Sequence, residues 1–150
     1  MNPKCNIMRK PRVEKVVILL FKSCRIWWRI LKKYWKSDGD SLAQLNEALW
    51  TDGAFIYIPE NIQLEIPIEI IYISTGKTEI LSNPRHLILA EKNSSVSIIE
   101  NNISHDLNAQ VIVNSHADIF AGENSKIQFY RLQNECKSVY QITSMNVLQK

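Results

Sequence analysis

One pattern occurs three times in the sequence: IYIPENIQLEI at residues 56–66, ILAEKNSSVSI at residues 88–98 and IFAGENSKIQF at residues 119–129. Each copy places an asparagine between two apolar runs, and Asn61, Asn93 and Asn124 follow one another at nearly equal intervals. Asparagine suits a tight turn because it tolerates left-handed backbone angles. A repeat of nearly constant length predicts a solenoid, in which stacked coils bury an apolar column that one coil cannot bury alone.

Alternating apolar residues after each turn predict the rungs of that column, namely Leu64/Ile66, Val96/Ile98 and Ile127/Phe129. Turn-forming residues separate nine predicted strands, at residues 54–58, 63–66, 68–74, 86–90, 95–100, 110–114, 118–121, 126–131 and 140–147. No convincing helix follows a strand, which disfavours a doubly wound βαβ sheet. We therefore predict a mainly β fold over residues 45–150. Because the ends of a solenoid expose unpaired strand edges, we expect it to bind other proteins or to associate with itself.

Residues 1–44 differ from the rest in charge. Through Asp40 there are eleven lysines and arginines against three acidic residues, whereas the remainder has a net charge of −5. Apolar and basic residues recur at steps of three or four over residues 13–36, which predicts an amphipathic helix. We expect its apolar face to pack on the protein. A membrane surface is the alternative, and no nucleic-acid partner is predicted.

This basic segment is a poor candidate for a transmembrane helix or a signal peptide. Its uninterrupted apolar run, residues 16–21, is far shorter than the roughly 20 residues that a bilayer requires. Basic residues follow the run where a signal peptide has small residues at its cleavage site. The three cysteines, Cys5, Cys24 and Cys136, are widely spaced and form no CxxC pair. This excludes a zinc knuckle and is typical of a reducing compartment, so we expect a cytoplasmic protein.

Few residues are candidates for chemistry. His86 and His116 are separated by close to one repeat, so adjacent coils could bring them together with Cys136 as a metal site. The simpler interpretation, which includes His105, is histidines in turns or on the surface.

Glu65, Glu69 and Glu100 could act as acid–base carboxylates, but solvent-facing strand positions explain them more simply. No Walker A, GxSxG or GxGxxG motif is present. We therefore predict no enzyme activity, no cofactor, and no catalytic or metal-binding residue.

Five collinear blocks carry a resemblance to a known family: LNEALWTDGAFIYIP (45–59), PIEIIYIS (67–74), PRHLILAE (84–91), GENSKI (122–127) and YRLQNE (130–135). They resemble the SufD branch of the SufB/SufD family. The resemblance implies a right-handed parallel β-helix core and a role as a scaffold in iron–sulfur cluster assembly. It also implies that the chain pairs with SufB and holds the ATPase SufC.

The family's core normally follows a longer helical region, which residues 1–44 do not resemble. Its SufC-docking region, and the histidine and cysteine implicated in cluster formation, would follow Lys150. The resemblance therefore assigns no site role to His86, His105, His116 or Cys136. The alternatives to a scaffold subunit are a peripheral membrane protein acting through residues 1–44 and a truncated chain without a function of its own.

Overall fold

The computed structural model describes residues 17–22, 41–50, 52–75, 79–105 and 110–150. Within these ranges the chain forms nine strands and one helix: β1 Val17–Lys22, α1 Ser41–Leu49, β2 Asp52–Ile58, β3 Ile68–Ser74, β4 Ile80–Ser82, β5 Arg85–Ala90, β6 Ser95–Ser104, β7 Val111–Ala121, β8 Lys126–Asn134 and β9 Val139–Gln149. The predicted mainly β fold is confirmed.

The strands form two sheets, and the chain passes from one to the other. Sheet A has the order β1-β2-β5-β7, with β4 and β9 also paired to β7, and sheet B has the order β3-β6-β8. Among the described strands, every pairing is parallel except that of β1 with β2. Each coil thus adds one row of strands to both sheets. This arrangement fits the predicted parallel β-helix, and its right-handedness stays a prediction.

The three repeated asparagines form the turns between the sheets, as predicted. Asn61, Asn93 and Asn124 have positive φ angles of 61°, 55° and 54°. Asparagine tolerates this left-handed region better than most residues with a side chain. The turns also stack on one another, because the Asn93 amide donates to the Asn61 side-chain oxygen at 3.0 Å. The sequence period is therefore the length of chain in one coil.

An apolar column lies between the two sheets. On the sheet A side, Ile56, Ile88 and Ile119 follow one another in register and are almost fully buried. Val96 and Ile98 face them from sheet B. Burial of such a side chain contributes about 1.5–3 kcal/mol relative to exposure. Gly53 permits the close approach of β2 to β5, because a Cβ there would clash with the Arg85 carbonyl oxygen.

One predicted rung is wrong by two positions. Val96 pairs with Ile127 and Ile98 with Phe129, as predicted, but Ile98 pairs on its other side with Ile68 and not with Ile66. Just before this point the register is different, because Gln63 is opposite Ser95. Between these two pairings the first coil therefore contains two more residues than the second, and Ile66 is 81% exposed.

The predicted helix over residues 13–36 is wrong at residues 17–22, which form strand β1. Its run of apolar, partly β-branched residues suits a strand, and the free edge of β2 provides hydrogen-bond partners for its backbone. The remainder of that predicted helix lies outside the described residues. Helix α1 was not predicted. No helix in the described ranges is long and apolar enough to cross a membrane.

Candidate functional site

Strand alternation places two clusters of buried and partly buried polar residues on opposite faces of sheet A. We call one the inner cluster; it lies between the two sheets and comprises Tyr72, His86, Glu100, Asn102 and Arg131. We call the other the outer cluster; it lies beneath α1 and comprises Asn46, Arg85, Asn114, His116 and Asp118. Successive strand residues point to opposite faces, so neighbours such as Arg85 and His86 belong to different clusters.

Glu100 is the centre of the inner cluster. Its carboxylate is fully buried. It accepts hydrogen bonds from Arg131 Nε at 3.0 Å and Arg131 Nη2 at 2.9 Å. Asn102 Nδ2 donates to the same carboxylate at 3.0 Å. The two-pronged contact from Arg131 offsets much of the cost of burying the charge, since a buried ion needs both a counter-charge and hydrogen bonds.

His86 is the weakly bonded member of the inner cluster. Its ring is fully buried, and neither ring nitrogen has a hydrogen-bond partner among the described residues. Nε2 lies 3.7 Å from Glu100 Oε2, an ion-pair distance. Burial, however, lowers the pKa of His86 to about 4 and outweighs the attraction of Glu100. The ring is therefore neutral at pH 7, and the contact is not an ion pair. Burial also raises the pKa of Tyr72, whose ring centroid is 5.6 Å from that of His86.

The outer cluster joins sheet A to α1. Arg85 Nη2 donates to Asp118 Oδ2 at 2.7 Å, and Arg85 Nη1 donates to Asn46 Oδ1 at 3.2 Å. Asn46, the one buried residue of α1, donates to the carbonyl oxygens of Pro84 and Asn114 at 3.0 and 2.6 Å. The helix is therefore positioned by hydrogen bonds through its buried asparagine.

Histidine and carboxylate complete the outer cluster. His116 Nε2 is 3.1 Å from Asp118 Oδ1, and its Nδ1 is 2.6 Å from Ser144 Oγ on β9. Burial raises the pKa of Asp118, but the hydrogen bond from His116 and the charge of Arg85 outweigh it, so that the net pKa is lowered. Burial lowers the pKa of Arg85, and Asp118 counteracts this shift. The contacts of His116 link the rows of β7 and β9.

The structure does not bring the three residues considered as a metal site together. The register of β5 with β7 pairs Arg85 with His116 and His86 with Ala117. This difference of one position places the two histidine side chains on opposite faces of the sheet. Cys136 lies half-buried in the loop before β9, where hydrogen bonds with Ser138 and Ser104 lower the pKa of its thiol. The described ranges contain no group of three His, Cys, Asp or Glu residues that could hold a metal ion.

The structure also shows where the remaining candidate residues from the sequence lie. Glu65 and Glu69 are exposed, as their solvent-facing interpretation requires, and His105 is exposed just after β6. That interpretation is wrong for Glu100, which faces the interior. Within a predicted strand, Glu100 follows Val96 and Ile98 at alternate positions, and this alternation indicates that its side chain faces the interior. No comparable pattern in the sequence indicates the outer cluster, because this cluster forms against α1, which was not predicted.

Comparisons with known proteins match nearly all of the described chain. Residues 72–150 match the family described as SUF system FeS cluster assembly, SufBD core domain, and residues 20–70 match the SufBD protein N-terminal region. The second match begins inside the basic segment, upstream of the resemblance drawn from the sequence. The core match covers both polar clusters except Asn46.

Individual relatives agree with the family match. The chain is 32% identical over 110 residues to the iron–sulfur cluster assembly protein SufD of Bacillus subtilis, covering 70% of this chain and 25% of that protein. It is 27% identical over 119 residues to an iron–sulfur cluster assembly SufBD family protein of Staphylococcus aureus, covering 77% and 25%. The chain thus spans about a quarter of the length of these curated relatives.

Proposed function

The chain belongs to the SufBD family of iron–sulfur cluster assembly proteins, and from this we propose that it is a scaffold subunit of a SufBCD-type complex. In this role it binds partner subunits, SufB and SufC, and does not itself catalyse a step. The proposed location is the cytoplasm. The main support is the match of the family core to residues 72–150, the same residues that build the second, third and fourth rows of strands.

The buried charges also support a structural role. Glu100 is held by Arg131, and Asp118 is held by Arg85 and His116, so that these ionisable groups satisfy one another. Groups paired in this way rigidify the coils that carry the outer surfaces. The iron–sulfur cluster is the cargo of the proposed complex, and we assign none of its ligands to the described residues.

Co-purification tests this proposal. The tagged chain is expressed with SufB and SufC from the same source, and we expect the three to elute together in size-exclusion chromatography. Ile98→Asp places a carboxylate in the apolar column and should abolish co-elution, whereas Ile66→Asp, at an 81% exposed position, should preserve it. The proposal fails if the wild-type chain is folded by circular dichroism and elutes without either partner.

A further inference from the structure

Three polar side chains on the inner side of the coils carry buried atoms that no described residue satisfies. Neither ring nitrogen of His86 has a hydrogen-bond partner in this part of the chain, and the same is true of Ser115 Oγ and Glu135 Oε2. His86 and Ser115 belong to β5 and β7, which each pair with strands on both sides. Buried polar atoms without a partner are rare in folded proteins, so each of these atoms requires a physical explanation.

A cavity of about 140 Å³ lies beside these side chains. It is lined by Glu135 and by Tyr72 of the inner cluster. The His86 ring lies next to that of Tyr72, with the two ring centroids 5.6 Å apart. Ser115 is two residues from Val113, which also lines the cavity, and strand alternation places both on the inner face of β7. The unsatisfied atoms are therefore grouped around one space.

The chemistry of these atoms identifies what can bind there. The Glu135 oxygen accepts hydrogen bonds, a neutral histidine ring has one donor and one acceptor nitrogen, and a serine hydroxyl both donates and accepts. A metal ion would leave the donors without a partner, and an anion would leave the acceptors without one. Water donates and accepts, and a polar cavity needs only roughly 10–15 Å³ to hold one molecule. A cavity of about 140 Å³ has room for several.

The contact between His86 and Glu100 also favours water. Nε2 and Oε2 are 3.7 Å apart, which is too long for a direct hydrogen bond. Polar groups at such distances are commonly joined by a water molecule. Of the hydrogen bonds that Glu100 accepts from the described residues, Oε2 takes one, from Arg131 Nη2, while Oε1 takes two. Because a carboxylate oxygen can accept two, Oε2 can accept one more from water.

We propose that the cavity is a binding site for a short chain of ordered water molecules, which leads from Glu135 near the surface to His86 and Glu100 in the interior. The exposed Thr75, which also lines the cavity, marks its opening to solvent. The bound water completes the hydrogen bonds of His86 and Ser115. It also carries protons between the inner cluster and the solvent while the two sheets stay closed. This site goes beyond the proposed scaffold role and does not depend on it.

Proton exchange at the His86 ring tests the site. The full chain is labelled with ¹⁵N-histidine, and the exchange of ring N–H protons with water is measured by NMR at urea concentrations below the unfolding transition. His86→Phe identifies the resonance. Exchange through bound water needs no opening of the fold, so its rate should not depend on urea. A rate that rises with urea would show that His86 meets water only in opened states, and it would overturn the proposal.

Filling the cavity should reverse this behaviour. Val113→Phe places a ring in the space that Val113 lines and displaces the water. Exchange at His86 should then rise with urea, because only opening of the fold exposes the ring to solvent. A variant that folds, as judged by circular dichroism, and still exchanges independently of urea would contradict the assignment of the water to this cavity.

Ser115→Ala gives an independent readout. If the hydroxyl is bonded to water, the substitution removes that bond and lowers the urea midpoint of unfolding. If the hydroxyl has no partner, the substitution removes an unsatisfied polar group and raises the midpoint, which would refute the proposal. Ser97→Ala is the matched control, since its hydroxyl bonds Gln128 at 3.1 Å in an exposed position, and it should change the midpoint least. These measurements use this chain alone, so they are independent of the co-purification with SufB and SufC.

Discussion

At the residue scale, the fold depends on charges that are buried in pairs. Glu100 is inaccessible to solvent, while the side chain of Arg131 remains 20% exposed. The exposed pair of Lys92 and Glu123 offers a comparison, since its 2.6 Å contact is shorter but its side chains are about half exposed. Pairs of the second kind contribute little because water and salt screen them. The exposed pair therefore contributes less to stability than the pair of Glu100 and Arg131, although its contact is shorter.

Replacing Arg131 by methionine should destabilise the protein by about 3–5 kcal/mol, because the buried Glu100 carboxylate loses its counter-charge. Lys92→Met, the matched change in the exposed pair, should cost at most about 1 kcal/mol. Urea denaturation with circular dichroism measures both. Adding Glu100→Gln to Arg131→Met should recover part of the loss. Equal effects of the two single substitutions would contradict the assignment of Glu100 to the interior.

The buried His86 predicts a dependence of stability on pH. Its pKa is about 4 in the folded protein against 6.5 ordinarily. Between these two values the unfolded chain binds a proton that the folded chain does not bind. Stability is complete above pH 6.5 and decreases as the pH falls towards 4, by an amount on the order of 3 kcal/mol. The raised pKa of Glu135 acts in the opposite sense near the acid end of this window.

Denaturation midpoints measured from pH 4 to pH 7 check this dependence. His86→Phe retains a ring of similar size and should reduce the loss of stability on acidification, while the contribution of Glu135 is unchanged. His105→Ala removes an exposed histidine and should preserve the wild-type slope. If His86→Phe and the wild type lose stability in parallel, the ring does not titrate as its burial requires.

The sequence contains a signal for the burial of Glu100, but none for the outer cluster or for the partners of these residues. Glu100 follows Val96 and Ile98 at alternate positions, so strand alternation alone places it inside. The relation of His86 to His116 was not predictable, because it depends on a single residue in the length of the local repeat. A difference of one position moves a side chain to the other face, and only the register of β5 with β7 settles it.

At the element scale, the turns were the most predictable feature, and the longer first coil was the least predictable. The asparagines reveal their turns because few other residues tolerate a positive φ. No residue type in the sequence indicates the two extra residues near Pro67. The rung that contains Ile68 was therefore assigned to Ile66. Helix α1 was missed because its packing is inverted: Leu42, Leu45 and Leu49 remain partly exposed while Asn46 is buried.

The turn at Asn93 offers a test at this scale. Asn93→Val should destabilise the protein by about 1–2 kcal/mol or more, because a β-branched residue is strained at a φ of 55°. Asn93→Gly relieves the strain and loses only the amide contact to Asn61, so it should cost less. Urea denaturation of the two variants gives the order. A valine variant as stable as the glycine variant would contradict the left-handed turn.

At the scale of the whole molecule, the coils form a one-dimensional stack in which each row is stabilised by its neighbours. Strands β6 and β7 have partners on both sides, whereas β8 and β9 have a partner on one side within the described residues. In such stacks stability is close to a sum of contributions from the rows and from their interfaces. The basic segment enters this stack through β1, so at least residues 17–22 contribute to the fold.

This stacking predicts a gradient of amide hydrogen exchange across the rows of strands. Amides in β6 and β7 should exchange most slowly, because their opening requires loss of two neighbouring rows, and those in β8 and β9 should exchange faster. Ile88→Ala, in the middle of the column, should cost about 2–5 kcal/mol and accelerate exchange in β2, β5 and β7 together. The exposed Ile66→Ala should leave all rates unchanged. Uniform protection from β5 to β9 would show that the molecule opens as one unit, and the independence of its rows would be refuted.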